Sequence, residues 1–257
     1  MAALDTLSAF TYGHTITLQN QNIDFVDDVD ILVAKIAVGS YSLEDFGDAI
    51  ATALNDVATN LTYSVTLDRP NRTFTVTADG NFELLVASGA NITTGAFSLM
   101  GYTGADTPSA TSAVANNPSG SIYFPQFRLQ RFTDFIDQVE KSSSVVKSSA
   151  TGQVEVVSYG DIQFMNCDIM FATDITGQGV IENNATGVAD LRAFMTYIIG
   201  KHPIEFIPDK DDLNTFTKCI LESTRESRNG TAFTLKEMIS KGLAYYFETG
   251  TLTFRKI

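Results

Sequence analysis

The residues able to do chemistry in this chain are few and scattered. His14 and His202 are its two histidines, and neither stands in a recognisable metal-ligand spacing, so each reads as a residue at the end of a strand. A nucleophilic triad would need one of them beside a Ser or Cys. No G-x-S-x-G is present, and Cys167 and Cys219 lie inside the apolar runs FMNCDIMF and FTKCILES. That setting reads as two buried free thiols, with a disulfide between them as the other reading. The Gly-Gln-Gly at 177–179 is followed by VIENN and not by the helix that a phosphate loop needs.

Carboxylates cluster twice. Asp209, Asp211 and Asp212 share the turn PDKDDLN, where Leu213 breaks the alternation of a calcium loop and no Glu closes it. Asp24, Asp27, Asp28 and Asp30 form a second group. Neither cluster has the apolar surroundings that raise a carboxyl toward acid–base work, so both read as solvated acidic turns. No catalytic, cofactor-binding or metal-binding residue is assigned, no cofactor is implied, and an enzyme is not expected.

Bulk composition narrows the classes further. With 257 residues, a net charge of −13 and few clustered Lys or Arg, the chain is poorly suited to gripping nucleic acid or an anionic membrane. No apolar run approaches a membrane span and no basic, apolar leader opens the sequence, so a soluble protein is expected.

The elements that would position any site are mainly strands, in an α+β arrangement. The exception is GSYSLEDFGDAIATALN at 39–55. Ser42 is a good N-cap, Glu44 and Asp45 suit the first turn, and Leu43, Phe46, Ile50, Leu54 and Val57 recur at helical spacing. Glu44, Asp45, Asp48 and Asp56 lie off that stripe, facing water. Gly47 predicts a close approach by another segment. This helix reads as a brace. Three alternating strands follow, TYSVTL, RTFTVTA and FELLVAS, joined by turns at DRPN and ADGN, with the helix laid across them.

The small, polar residues 104–121 read as a linker. Beyond it, KSSSVVKSSATG reads as a mobile loop. GQVEVVSY and DIQFMNCDIMFA read as long strands, the second buried on both faces or bulged. Residues 188–199 read as a helix, and IEFIP, FTKCILES and GTLTFRKI as further strands. The resulting division is 1–35, N-terminal strands pairing with the second domain; 36–103, a helix-plus-meander module; 104–121, a linker; and 122–257, a β-sandwich-like domain with one prominent helix.

Residues 36–103 resemble a small module common in structural proteins of tailed bacteriophages and other large viruses. Gly39, Tyr41, Ile50, Ala53, Leu54, Asn55, Phe74, Phe82, Leu84, Leu85, Gly89 and Gly101 fill its pattern, with Tyr102 where Phe is commoner. The second half, through GQVEVVSYGDIQFMNCDIMF, DLRAFMTYIIG, IEFIPDKDD and a terminal hairpin in YYFETGTLTFRKI, is similar in layout to distal tail (Dit-like) and other tail-tip proteins. The resemblance implies a structural virion subunit that assembles in the host cytoplasm into a homo-oligomer, a hexameric ring. Its partners would be the tail tube and tail-tip hub, with no specific nucleic-acid binding and no membrane insertion. Two alternatives are a head–tail connector ring and a host-surface-binding tail-fibre or decoration module. An exposed aromatic cluster of Tyr63, Tyr102 and Tyr123 would mark the last.

Overall fold

The computed structural model describes residues 9–123, 135–147, 154–168, 172–173, 188–209, 211–224, 236–238, 243–249 and 251–257. The fold is mainly β, of the α+β class. The first part of the chain forms β1 (Ala9–Tyr12), β2 (His14–Ile16), β3 (Asn22–Asp27), β4 (Asp30–Lys35), β5 (Gly39–Tyr41) and α1 (Leu43–Val57). It continues through β6 (Tyr63–Asp68), β7 (Thr73–Leu84), the short helix α2 (Phe97–Met100), β8 (Ala110–Val114) and β9 (Ser121–Tyr123). The second part forms β10 (Phe135–Lys147), β11 (Val154–Asp168), β12 (Ala172–Thr173), α3 (Val188–Ile199) and β13 (Ile204–Ile207). β14 (Thr217–Thr224), β15 (Lys236–Met238), β16 (Leu243–Glu248) and β17 (Thr251–Lys256) complete it.

The chain divides into two compact units. One comprises Ala9–Ile122 with His202–Phe216, the other the described residues of Tyr123–Lys201 and Thr217–Ile257. In the first unit the sheet runs β4-β3-β7-β6, with β8 also on β7. The brace forms as its sequence dictates: Ser42 Oγ accepts the Asp45 amide at 3.1 Å, and Leu43, Phe46, Ile50, Ala53 and Leu54 face the core. Phe25, Phe74 and Phe82 meet them from the sheet, all essentially unexposed. Gly47 is where β7 comes close, since a Cβ there would lie 3.0 Å from Phe74 Cε1.

The pairing corrects several boundaries. The N-terminal strands do not all go to the second half. β3 pairs with β7 and β4 because Ile23 and Phe25 belong to the core under α1, and only β1 pairs with β13. The turn at DRPN exists, but ADGN is no turn: β7 runs unbroken through it. Its two halves have different partners, β6 on Thr73–Ala78 and β3 on Phe82–Leu84, so one long strand serves both. Residues 104–121 are more than a linker, since β8 pairs with β7 and buries Ala113.

In the second unit β10-β11-β17-β14 are neighbours, and β12-β16-β15 form a small separate sheet. The expected mobile loop is in part a strand: Ser143–Lys147 pair with β11, past an irregularity at Lys141/Ser143. Residues 148–152 lie outside the described residues. In β11, Met165 is buried and Gln163 exposed. The extra residue of the irregularity at Lys141/Ser143 is on β11, where two residues, Tyr159 and Gly160, stand against Ser142 just ahead of the run in which the sequence suggested a bulge. The terminal hairpin does not form. β16 pairs with β12 and β15, whereas β17 pairs with β11 and β14, where its buried Phe254 stands opposite Met165 and Leu221. α3 buries Leu191, Phe194, Met195 and Ile198, as its spacing predicts. Past it, Lys201 adopts a left-handed φ of 59°, and its Nζ donates to the carbonyls of Leu221 and Glu222, where β14 breaks register.

Candidate functional site

The acidic group of the β3–β4 hairpin is not a solvated turn. Asp28 and Asp30 are exposed, but Asp24 and Asp27 are buried, at 2% and 0%. Asp27 Oδ2 accepts the amides of Thr59 (2.8 Å) and Asn60 (2.7 Å), and Oδ1 accepts the Tyr63 hydroxyl at 2.9 Å. Burial alone would raise its pKa. The donated hydrogen bonds outweigh that and hold it below the ordinary carboxylate value. The same contact, with burial the larger cause, pushes the Tyr63 phenol up. Asp24 accepts the Asn91 amide at 2.6 Å and its Nδ2 at 2.7 Å, and Gly89 is obligatory beside it, since a Cβ would fall 2.4 Å from Asp24 Oδ2. Both aspartates fasten loops.

A second cluster surrounds Glu205, a residue the sequence reading passed over. It sits on β13 at 0% exposure. Its Oε2 accepts from Thr11 Oγ1 (2.9 Å) and Arg69 Nη1 (2.7 Å), and its Oε1 accepts the Glu44 amide at the start of α1 (2.8 Å). A carboxylate there also meets the positive end of the helix dipole. Arg69 extends its other nitrogen to Glu44 and lies over the Phe216 ring, 3.7 Å from the centroid. Every bond joins β1, α1, the β6–β7 turn and the 202–216 segment, so the cluster pins a sequence-distant segment to the unit. The signal that could have revealed it is an acid inside the apolar run IEFI, which must be paired when buried.

The histidines are also fasteners. His14 Nε2 accepts the Gly120 amide at 3.0 Å and lies 3.0 Å from Ser119 Oγ, while its ring stands edge-on to Phe46 at 4.9 Å. Burial lowers its pKa to about 4, so it is neutral near pH 7. His202 Nδ1 lies 2.6 Å from Ser40 Oγ. Asp209 and Asp212 shape their own turn: Asp209 accepts the Asp211 amide, and Asp212 accepts the Asn214 amide and the Thr215 hydroxyl. Cys219 is buried and in no disulfide, and the side chain of Cys167 and the Gly-Gln-Gly at 177–179 lie outside the described residues. Among the described residues, no three His, Cys, Asp or Glu side chains converge as metal ligands. No helix among them is long and apolar enough to cross a membrane.

Most of the residues that carry the module resemblance are structural for nameable reasons. Ile50, Ala53, Leu54, Phe74, Phe82 and Leu84 are core. Asn55 links helix to sheet: its Oδ1 accepts the Tyr63 amide and its Nδ2 donates to the Tyr63 carbonyl, both at 2.8 Å. Gly101 ends α2 at φ 87°, where a Cβ would lie 2.2 Å from the Asn117 carbonyl oxygen. Tyr63 and Tyr102 are each 3% exposed, and Tyr102 donates to the Ala113 carbonyl at 2.7 Å, its pKa pushed up by burial to about 12. The exposed aromatic cluster that would mark a host-binding face is therefore not built from these two; the side chain of Tyr123 lies outside the described residues.

One groove of about 170 Å³ lies between α1 and the β4–β5 segment, lined by Lys35, Ala37, Tyr41, Ala49, Thr52, Ala53 and Asp56. It is smaller than the cavities that bury drug-sized ligands. No protein-family model matches the chain, and no curated protein matches it either. What the described polar groups do chemically is hold backbone amides and one buried guanidinium. The two Ser–His contacts, Ser119 with His14 and Ser40 with His202, are not part of the groove's lining.

Proposed function

We propose that the chain is a structural subunit of a tailed-bacteriophage virion, a tail-tip or distal tail component that assembles as a homo-oligomeric ring between tail tube and host-binding apparatus. The observation that carries the reading is the character of residues 36–103. They resemble a virion module, and their patterned residues serve packing and fastening: Asn55 on Tyr63, Gly89 against Asp24, Gly101 at a left-handed cap. Buried acids at Asp24, Asp27 and Glu205 are each satisfied by several donors. That arrangement favours a rigid building block over a site poised for proton transfer.

The net charge of −13 supports a particle position along a DNA passage, where a polyanion slides past without adhering. Immunogold labelling of purified particles with antibody to this chain tests the reading. Label confined to the tail tip is expected; label at the head–tail junction would move the subunit to the connector, and absence from particles would refute a virion role.

A further inference from the structure

The outer edge of β4 offers a self-complementary pairing surface, and we infer that two copies of this chain join there as an antiparallel pair of strands. The ladder to β3 fixes which groups are free. Asp27 and Asp30 flank a two-residue turn and face each other, and the pairing then alternates through Phe25↔Leu32 and Ile23↔Ala34 to the bond from the Ile36 amide to the Gln21 carbonyl. The intervening residues Ile31, Val33 and Lys35 aim their N–H and C=O groups away from β3. The opposite strand agrees, since the carbonyl of Asp24, partner of Val33, turns away from β4 to accept the Leu85 amide. Among the described residues, no strand pairs with this outer edge.

The side chains along it are apolar where solvent would favour polar ones. Val29 is 78% exposed, Ile31 73% and Val33 37%. Sheet edges of this kind are usually blunted by charge, bulge or proline, and here none interrupts residues 31–34.

The charges select the occupant and its direction. Asp28 and Asp30 stand exposed at one end of the edge and Lys35 at the other. A twofold axis through Leu32, perpendicular to the sheet, sets Ile31 against the partner's Val33 and Val29 against the partner's Lys35. Each Lys35 then comes beside the turn of the other copy, next to its exposed Asp28, while Asp30 projects to the opposite face, where Asn60 Nδ2 donates to it at 3.0 Å; each free Ile31 and Val33 peptide gains its bonds. A parallel strand would set acid on acid and lysine on lysine. A second copy thus supplies the strand, the apolar partners and the opposite charges, against a net charge that otherwise separates the chains. This twofold contact neither requires nor prevents ring closure and does not rest on the virion reading.

The test is sedimentation of the full chain over a concentration series. Alongside it run Ile31→Lys/Val33→Lys, Val33→Pro, and Val114→Lys on the exposed face of β8 as control. Val33→Pro removes only an N–H that faces outward, so the β3 ladder is kept. Expected is a reversible association step with equal strength in wild type and V114K, weakened roughly tenfold or more in both β4 variants. Hydrogen exchange on the unmodified protein supplies the second readout: the amides of Ile31, Val33 and Lys35 gain protection as concentration rises. Unchanged association in the β4 variants, or exchange at these amides that is independent of concentration, overturns the inference.

Discussion

Acidifying the protein from about pH 7.5 to about pH 5 should weaken the first unit through His14 in particular. Its Nε2 accepts the Gly120 amide, so a proton added there would point at a donor and break the bond. Ser119 Oγ, whose proton goes to the Leu99 carbonyl at 2.5 Å, can accept from a protonated Nε2 at 3.0 Å, but the Gly120 amide then loses its acceptor. The imidazole pKa falls from 6.5 to about 4 on folding, with burial as the main cause and a backbone hydrogen bond at Leu99 opposing it. A depressed histidine is neutral when folded and binds its proton more readily when unfolded. The stability it confers is therefore complete above pH 6.5 and is lost as pH falls from there toward 4. The full difference amounts to about 3 kcal/mol, and about 2 kcal/mol of it is gone by about pH 5. Urea denaturation followed by circular dichroism at both pH values measures it in wild type and in His14→Gln, which keeps His202. The variant should start less stable, because it loses the Gly120 and Phe46 contacts, and should then show a pH loss smaller by about 2 kcal/mol. Parallel losses in the two proteins would refute the assignment.

Other perturbations read the remaining fasteners. Glu205→Leu leaves Arg69 buried beside an apolar side chain and should cost about 3–5 kcal/mol, and adding Arg69→Met should recover part of it; denaturation of both variants measures this. Asp27→Ala strips acceptors from two amides and a phenol and should cost at least about 3 kcal/mol in the same assay. Asp27→Asn should instead differ from wild type most at neutral pH and converge on it in acid. The depressed Asp27 carboxyl contributes above its ordinary range, and that contribution is lost as pH falls through its lowered value. Gly101→Ala meets both a left-handed φ and the Asn117 carbonyl, and should lower the melting temperature more than Gly104→Ala, whose φ is also positive but whose surroundings are open.

The brace was legible because its signals are local. A capping serine, acids in the first turn and apolar residues at helical spacing specify α1 without reference to the rest of the fold. α3 was legible for the same reason. The β4–β3–β7 order was not, because a strand's partner is chosen across sequence distance by which apolar face completes a core. Ala78–Asn81 looks like a turn by composition, yet β7 continues because β6 holds one half and β3 the other. The buried acids were misread for a related reason. Asp27, beside the turn, carries no local mark that separates a solvated carboxylate from one wrapped by the amides of residues 59–60, whereas Asp24 lies inside the apolar run IDFV and its partner Asn91 is distant in sequence. Glu205 also carried such a mark, an acid within IEFI, but its partners Thr11, Glu44 and Arg69 come from three distant segments.

Negative-stain imaging of the purified full chain, with its mass in solution over a concentration series, tests the central claim most directly. The account predicts discrete annular particles of one stoichiometry, with annuli that still close when β4 carries Ile31→Lys/Val33→Lys. A monomer at every concentration would contradict the ring-subunit reading and leave a non-assembling module in its place.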